Sequence, residues 1–289
     1  MDIEQKNSFI KDYLSKYNIT FKYITDEKIL NCVYDFYANG NESISDIGTV
    51  LNYYAVYYKI KGNINKMIKY YLMAIDKGDA KSMSNLGFYY YEIKDYPNMI
   101  KYYLMGVAKG HHGSMNNLGL YYDNIKDYLS MMKYYLMAID KGSPEAMFNL
   151  GLYYRKIKDY PNMEKYYLMA VSHGCQDSKN SLSKYYYKHK MYEQLVYLYS
   201  SNNQEDKVQL FNALDLYLSQ ITQDVIHNKV IKIICELDLT GIKCSLGLRL
   251  LHNTLKEKID TIDLHYNYSP DSKGCEQAKE DFMTRCLKN

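Results

Sequence analysis

The chain has 289 residues, 47% of them hydrophobic and 24% charged, which supplies a large core and excludes an extended tail-like protein. Basic and acidic side chains number 36 and 33, and a net charge of +3 argues against nucleic-acid binding through bulk charge. The opening residues Met1 to Lys6 lack the apolar core of a signal peptide, and no run of about 18 apolar residues occurs, so a soluble cytoplasmic protein is expected.

Residues 1–46 hold no internal phase. Asp26 to Ala38 has helical periodicity and Asn39-Gly40-Asn41 reads as its stop, which makes this stretch an N-terminal helical cap. Residues 47–206 form five repeats. The string KYYLM begins at Lys69, Lys101, Lys133 and Lys165, a step of 32 residues, and Gly78, Gly110, Gly142 and Gly174 close the units. A second string, NLG followed by an apolar residue and two tyrosines, starts at Asn85, Asn117 and Asn149. Altered copies run from Tyr53 to Tyr58 and from Ser181 to Tyr186.

Within one unit Met83, Leu86, Tyr90 and Ile93, then Tyr96, Met99, Tyr103 and Val107, recur at helical spacing, so each unit is predicted to be a helix pair. Lys94-Asp95-Tyr96-Pro97 separates the two helices, with Asp95 as cap and Pro97 in the first turn. A pair of such short helices cannot bury its own apolar face. Stacking of neighbours is therefore required, and the expected fold is all-α, an α-α superhelix: a solenoid of antiparallel helix pairs. Three sets of small residues read as contact points: Gly87, Gly119 and Gly151; Ser82, Ser114, Ala146 and Ser178; and Ala74, Gly106, Ala138 and Ala170. The 28 tyrosines between Tyr53 and Tyr199 read as packing.

Residues 207–289 read as degenerate repeats and a C-terminal capping helix, because Ser245-Leu246-Gly247-Leu248 and then Cys275, Ala278 and Phe282 fall in phase. The clearest break is Tyr268 to Gly274.

Six cysteines contain no C-x-x-C pair, and no phosphate-binding or nucleophile-elbow motif occurs, so neither catalysis, metal nor cofactor is expected. His111-His112 stands where other repeats have Asp79-Ala80, Ser143-Pro144 and Cys175-Gln176, and reads as a solvated turn. Lys179, Lys184, Lys188, His189 and Lys190 make the fifth repeat basic, a solvated helix face or a groove for an acidic segment.

The stretch Ala146 to Tyr154, followed by Asp159-Tyr160 and by Lys165-Tyr166-Tyr167 with Ala170 and Gly174, resembles the Sel-1-like repeat, a relative of the tetratricopeptide repeat. That resemblance implies a right-handed superhelix serving as an adaptor for protein complexes, without catalysis. Met99, Met131 and Met163 depart from it by standing where the family has Ala, and the loop between helices is shortened. It also places the variable side of each first helix in a concave groove. Asn116, Asp123, Asn124, Arg155, Lys156, Lys184 and Lys188 are the partner-binding candidates there, their amides and cations suiting an acidic or carboxylate-bearing peptide. The alternative is a single-stranded nucleic-acid-binding repeat protein, which would need similar polar readers in each repeat. They are absent, since the positions read Asn52, Ser84, Asn116, Phe148 and Asn180. A last feature is Leu72, Leu104, Leu136 and Leu168, one residue after each tyrosine pair: either packed against the next repeat or an exposed apolar row.

Overall fold

The computed structural model describes residues 1–41, 47–200 and 206–220. It divides into two compact units, Met1–Cys175 and Gln176–Asn289. In the first unit the helices are α1 (Ile3–Ser15), α2 (Glu27–Asn39), α3 (Gly48–Ile60), α4 (Ile64–Asp76), α5 (Ala80–Glu92), α6 (Tyr96–Ala108), α7 (His112–Asn124), α8 (Tyr128–Asp140), α9 (Pro144–Lys156) and α10 (Tyr160–Ser172). Described helices of the second are α11 (Gln176–Lys188), α12 (Tyr192–Tyr199) and α13 (Lys207–Gln220). No strand occurs among the described residues.

From α3 to α10 each helix has 13 residues and each connection three, which accounts for the 32-residue period. Turns this short force consecutive helices to run antiparallel, and each packs along the next. Both kinds of turn use one left-handed residue. Between repeats it is glycine, with φ of 80° at Gly78 and 74° at Gly110. Within repeats Gly62 serves once, at φ 70°, whereas Lys94, Lys126 and Lys158 take φ of 62° or 63° despite their side chains. Asp95 then caps α6 by accepting from the Asn98 N–H at 3.2 Å, and Asp79 caps α5 by accepting from the Ser82 N–H at 2.7 Å.

Packing repeats with the sequence. Met67, Met99, Met131 and Met163 are fully buried, as are Leu86, Leu118 and Leu150. The second tyrosine of each KYYLM string, Tyr103, Tyr135 or Tyr167, lies over Gly87, Gly119 or Gly151 of the same pair. The first tyrosine stacks on the first helix: Tyr90 on Tyr102, Tyr122 on Tyr134 and Tyr154 on Tyr166, all near 5.5 Å between centroids and within 5° of parallel. A lysine ammonium covers the outer ring in turn, as Lys101 does over Tyr102 at 5.2 Å. Small residues also decide inter-repeat contacts. At Gly106 a β-carbon would overlap the Ser114 hydroxyl as it is oriented here, although Ala74 and Ala170 stand opposite Ser82 and Ser178 in the matching places.

The N-terminal stretch contains two helices where periodicity indicates one. In α1 Asp2 and Gln5 form a capping box. The expected second helix is present as α2, capped by Asp26 and ended by Gly40 at φ 73°. It packs on α3 by stacking Phe36 on Tyr54 at 3.9 Å and by donating the Tyr37 hydroxyl to the Tyr53 carbonyl at 3.0 Å. The connection from Lys16 to Asp26 exceeds a three-residue turn, which breaks the phase. Buried Asn7 holds it by accepting the Ile24 N–H at 2.8 Å and donating to the Ile24 carbonyl at 3.1 Å.

In the second unit α12 packs against α11 and α13. The predicted in-phase positions 245–248 and 275–282 lie outside the described residues, as do Cys235, Cys244, Cys275 and Cys286. Lys179 departs from the solvated basic face expected of it: it is buried, ion-paired with Asp206 and 5.2 Å from the Tyr199 ring centroid.

Candidate functional site

First helices of neighbouring repeats pack on one another, α5 on α7 and α7 on α9, whereas second helices of neighbouring repeats make no comparable contact among the described residues. The first-helix side of the stack is thus the more closely spaced, inner side. Hydrogen bonds cross it at an offset of one repeat plus one residue. Asn85 donates to Asn52 Oδ1 at 3.0 Å and Asn149 to Asn116 Oδ1 at 3.0 Å, while Lys59 pairs with Glu92 at 2.9 Å. The Lys59 ammonium also stands 5.1 Å from the Phe88 ring centroid.

Five of the seven candidate residues fall on this side in the first unit. Asn116, Asp123 and Asn124 stand on α7, and Arg155 and Lys156 on the adjacent α9. Arg155 and Lys156 are exposed in the last turn, where cations complement the helix dipole. Asn116 is partly committed to the fold, since its carbonyl oxygen accepts from Asn149. Asn124 reaches the Tyr91 hydroxyl at 3.5 Å. Asp123 is half-buried, and one of its carboxylate oxygens is enclosed with no hydrogen-bond partner among the described residues. Burial, and secondarily that carboxylate, holds the Tyr135 phenol well above its ordinary range. Lys184 and Lys188 are exposed on α11 of the second unit.

His111 differs from its predicted role in a solvated turn. Its half-buried ring caps α7, with Nδ1 accepting from the Ser114 N–H at 3.1 Å and lying 3.1 Å from the Ser114 hydroxyl. Only a neutral imidazole can accept in this way. Burial first, then the neighbouring His112, pushes the His111 pKa below 6.5, while Asp79 opposes.

Periodicity offers no sign of a cavity of about 520 Å³ at the start of the stack. Asn52, Val56, Asn85 and Phe88 wall it, Lys59 and Lys81 contribute cations, and residues 17–20 roof it. The wall positions belong to the same repeat surface as the candidates on α7 and α9. That cover belongs to the stretch without phase, and its packing on the repeats turns their surface into a pocket that stays partly open to solvent.

Among the described residues no helix is long and apolar enough to cross a membrane. No family model and no curated protein matches the chain. Two solved structures are similar to it at 15% identity. One is a Sel1 repeat protein from Oxalobacter formigenes, with a TM-score of 0.49 over 89% of this chain and 99% of the other. The second is a protective antigen of uropathogenic Escherichia coli strains displaying an SLR fold, with a TM-score of 0.47 over 99% of this chain and 71% of the other. The architecture itself rests on the helix pairs of this chain: an all-α solenoid of antiparallel pairs with a 32-residue period.

Proposed function

We propose that the chain is a non-enzymatic scaffold or adaptor in the cytoplasm, holding a peptide or partner protein against the inner, first-helix side of its repeats. The observation that carries this reading is the division of labour within each first helix. Leu118, Gly119, Leu150 and Gly151 are buried and repeat unchanged, while Asp123 and Asn124 give way to exposed Arg155 and Lys156 one repeat later. A side that keeps its packing and changes its chemistry from repeat to repeat suits recognition of one extended partner.

In the first unit exposed Arg155 and Lys156 supply cations and Asn116 and Asn124 supply amides, and in the second unit α11 carries exposed Lys184 and Lys188, which in each unit favours an acidic or carboxylate-bearing segment. Selection from a random peptide library tests it. Recovered peptides should be rich in Asp and Glu, and should lose binding to the triple variant Arg155→Glu, Lys184→Glu, Lys188→Glu while circular dichroism stays unchanged. Equal binding to that variant removes these first-helix cations, in either unit, as the main determinant of binding.

A further inference from the structure

We infer that the partly open pocket between the N-terminal helices and the first two repeats is a binding site for a carboxylate carried on a compact apolar body. Its volume of about 520 Å³ lies within the range of small-ligand sites. The roof is preformed. Asn18 ends α1 in the left-handed region at φ 55°, the Ile19 N–H donates to the Leu14 carbonyl at 3.2 Å, and Ile19 and Phe21 pack on the core. Asn7 fixes the next residues at Ile24, so an occupant meets walls already in place.

The lining sets the chemistry. Leu14, Ile19, Val56 and Phe88 supply an apolar interior suited to a ring or a branched chain. Asn52 is buried and lines the cavity; its carbonyl oxygen accepts from the Ser82 hydroxyl at 3.1 Å and from Asn85 at 3.0 Å. Its amide nitrogen makes no hydrogen bond among the described residues and remains a donor for an occupant. Lys81 forms no ion pair among the described residues, whereas Lys59 is shared with Glu92 at 2.9 Å. One uncommitted ammonium, one buried amide donor and an apolar chamber match a single negative charge. A phosphate would bring a second charge without a second uncommitted cation.

Two sources carry this chemistry, a free small acid and the C-terminal end of a peptide finishing in an apolar residue. The site lies in the first two repeats and the N-terminal helices, outside the seven residues of the scaffold reading, and stands or falls separately from it. Titration of the full chain with 3-phenylpropanoate and with its amide, followed by calorimetry, reads the carboxylate requirement. The acid is expected to bind at least about tenfold more tightly than the amide, because the amide forfeits the ion pair. Lys81→Gln should weaken acid binding about fivefold, and Val56→Phe should abolish it by filling the chamber. A peptide ending in phenylalanine with a free carboxylate distinguishes the sources: tighter binding than the free acid identifies a chain end, weaker binding a small molecule. The triple charge-reversal variant Arg155→Glu, Lys184→Glu, Lys188→Glu should bind the acid unchanged. Equal affinity for acid and amide, no saturable binding of the acid up to about 10 mM, or full binding by Lys81→Gln overturns the proposal. Lys81 is a surface residue, so that variant keeps the test valid even if Val56→Phe fails to fold.

Discussion

Gly119 lies so close beneath the Tyr135 ring that a β-carbon at the glycine would stand 2.5 Å from Tyr135 Cδ1 and 2.6 Å from Cε1. Gly87 with Tyr103 and Gly151 with Tyr167 repeat the contact, so these glycines set how near the two helices of a pair approach. Gly119→Leu should therefore lose about 1 to 3 kcal/mol of stability through overpacking. Gly119→Ala should lose less, because alanine returns about 1 kcal/mol of helix propensity. Register also supports the smaller loss, since Ala55 occupies the equivalent place opposite Tyr71 in the first repeat. Denaturant midpoints of the two variants check this order, and an unchanged midpoint for Gly119→Leu contradicts the close packing.

The turns inside the repeats make a second case. Lys94, Lys126 and Lys158 adopt positive φ where the first repeat has Gly62. A left-handed conformation costs a residue with a β-carbon about 1 kcal/mol or more, and glycine pays less of it while losing more chain entropy on folding. Lys126→Gly is expected to raise stability by several tenths to about 1 kcal/mol, and Gly62→Lys to lower it comparably. A lowered midpoint for Lys126→Gly would mean that the lysine side chain contributes more than its backbone conformation costs.

Helix pairs, period, the aspartate cap before second helices and the small-residue contacts were legible in the sequence, because each repeats and because 32 residues divide simply into helices and turns. The tyrosine reading also holds, since Tyr103, Tyr135 and Tyr167 are buried against glycine. Features that occur once were not legible. A cap made by His111 has the same local pattern as an idle turn, and the pairing of Lys179 with Asp206 joins residues 27 positions apart with no periodic signal. The leucine row shows a different limit. Leu72, Leu104, Leu136 and Leu168 are 39%, 42%, 39% and 44% exposed, so they form the apolar row and not the inter-repeat packing that the sequence left as the other choice. Periodicity reveals that a position is shared, but burial depends on what the next helix covers. The cavity lay beyond reach for a related reason, since its roof at residues 17–20 has no repeat to compare with.

The cap at His111 predicts a pH dependence with a definite sign. The folded state holds this imidazole below its ordinary pKa of 6.5, chiefly through burial, so the unfolded chain binds the proton more readily. The contribution to stability is complete above pH 6.5 and is lost as the pH falls toward the lower, folded-state pKa. His111→Asn keeps an oxygen acceptor for the Ser114 N–H and removes the titration. The difference in Tm between the wild type and His111→Asn should shift against the wild type as pH drops from 7.5 to about 5, with carboxylate effects cancelling in the comparison. A difference that is flat with pH rules out the cap as the titrating element.

In the second unit, buried Lys179 and Asp206 tie α11 to the residue just before α13. Two charges taken from water lose hydration that their attraction only partly restores, so the pair's net value is small while the loss of one partner is costly. Lys179→Met should lower stability by about 3 to 5 kcal/mol, enough to unfold the region around α12 and α13, because the buried Asp206 carboxylate loses the cation it is paired with. Replacing both residues, Lys179→Met with Asp206→Leu, should recover most of that loss, since the unfavourable burial disappears with the charge. Hydrogen exchange of α12 and α13 reads the local effect directly. Protection lost in the single variant and regained in the double one is the expected pattern. Equal loss in both variants would show that the side chains act through shape and contact, and that charge is incidental to how α11 holds the segment that follows.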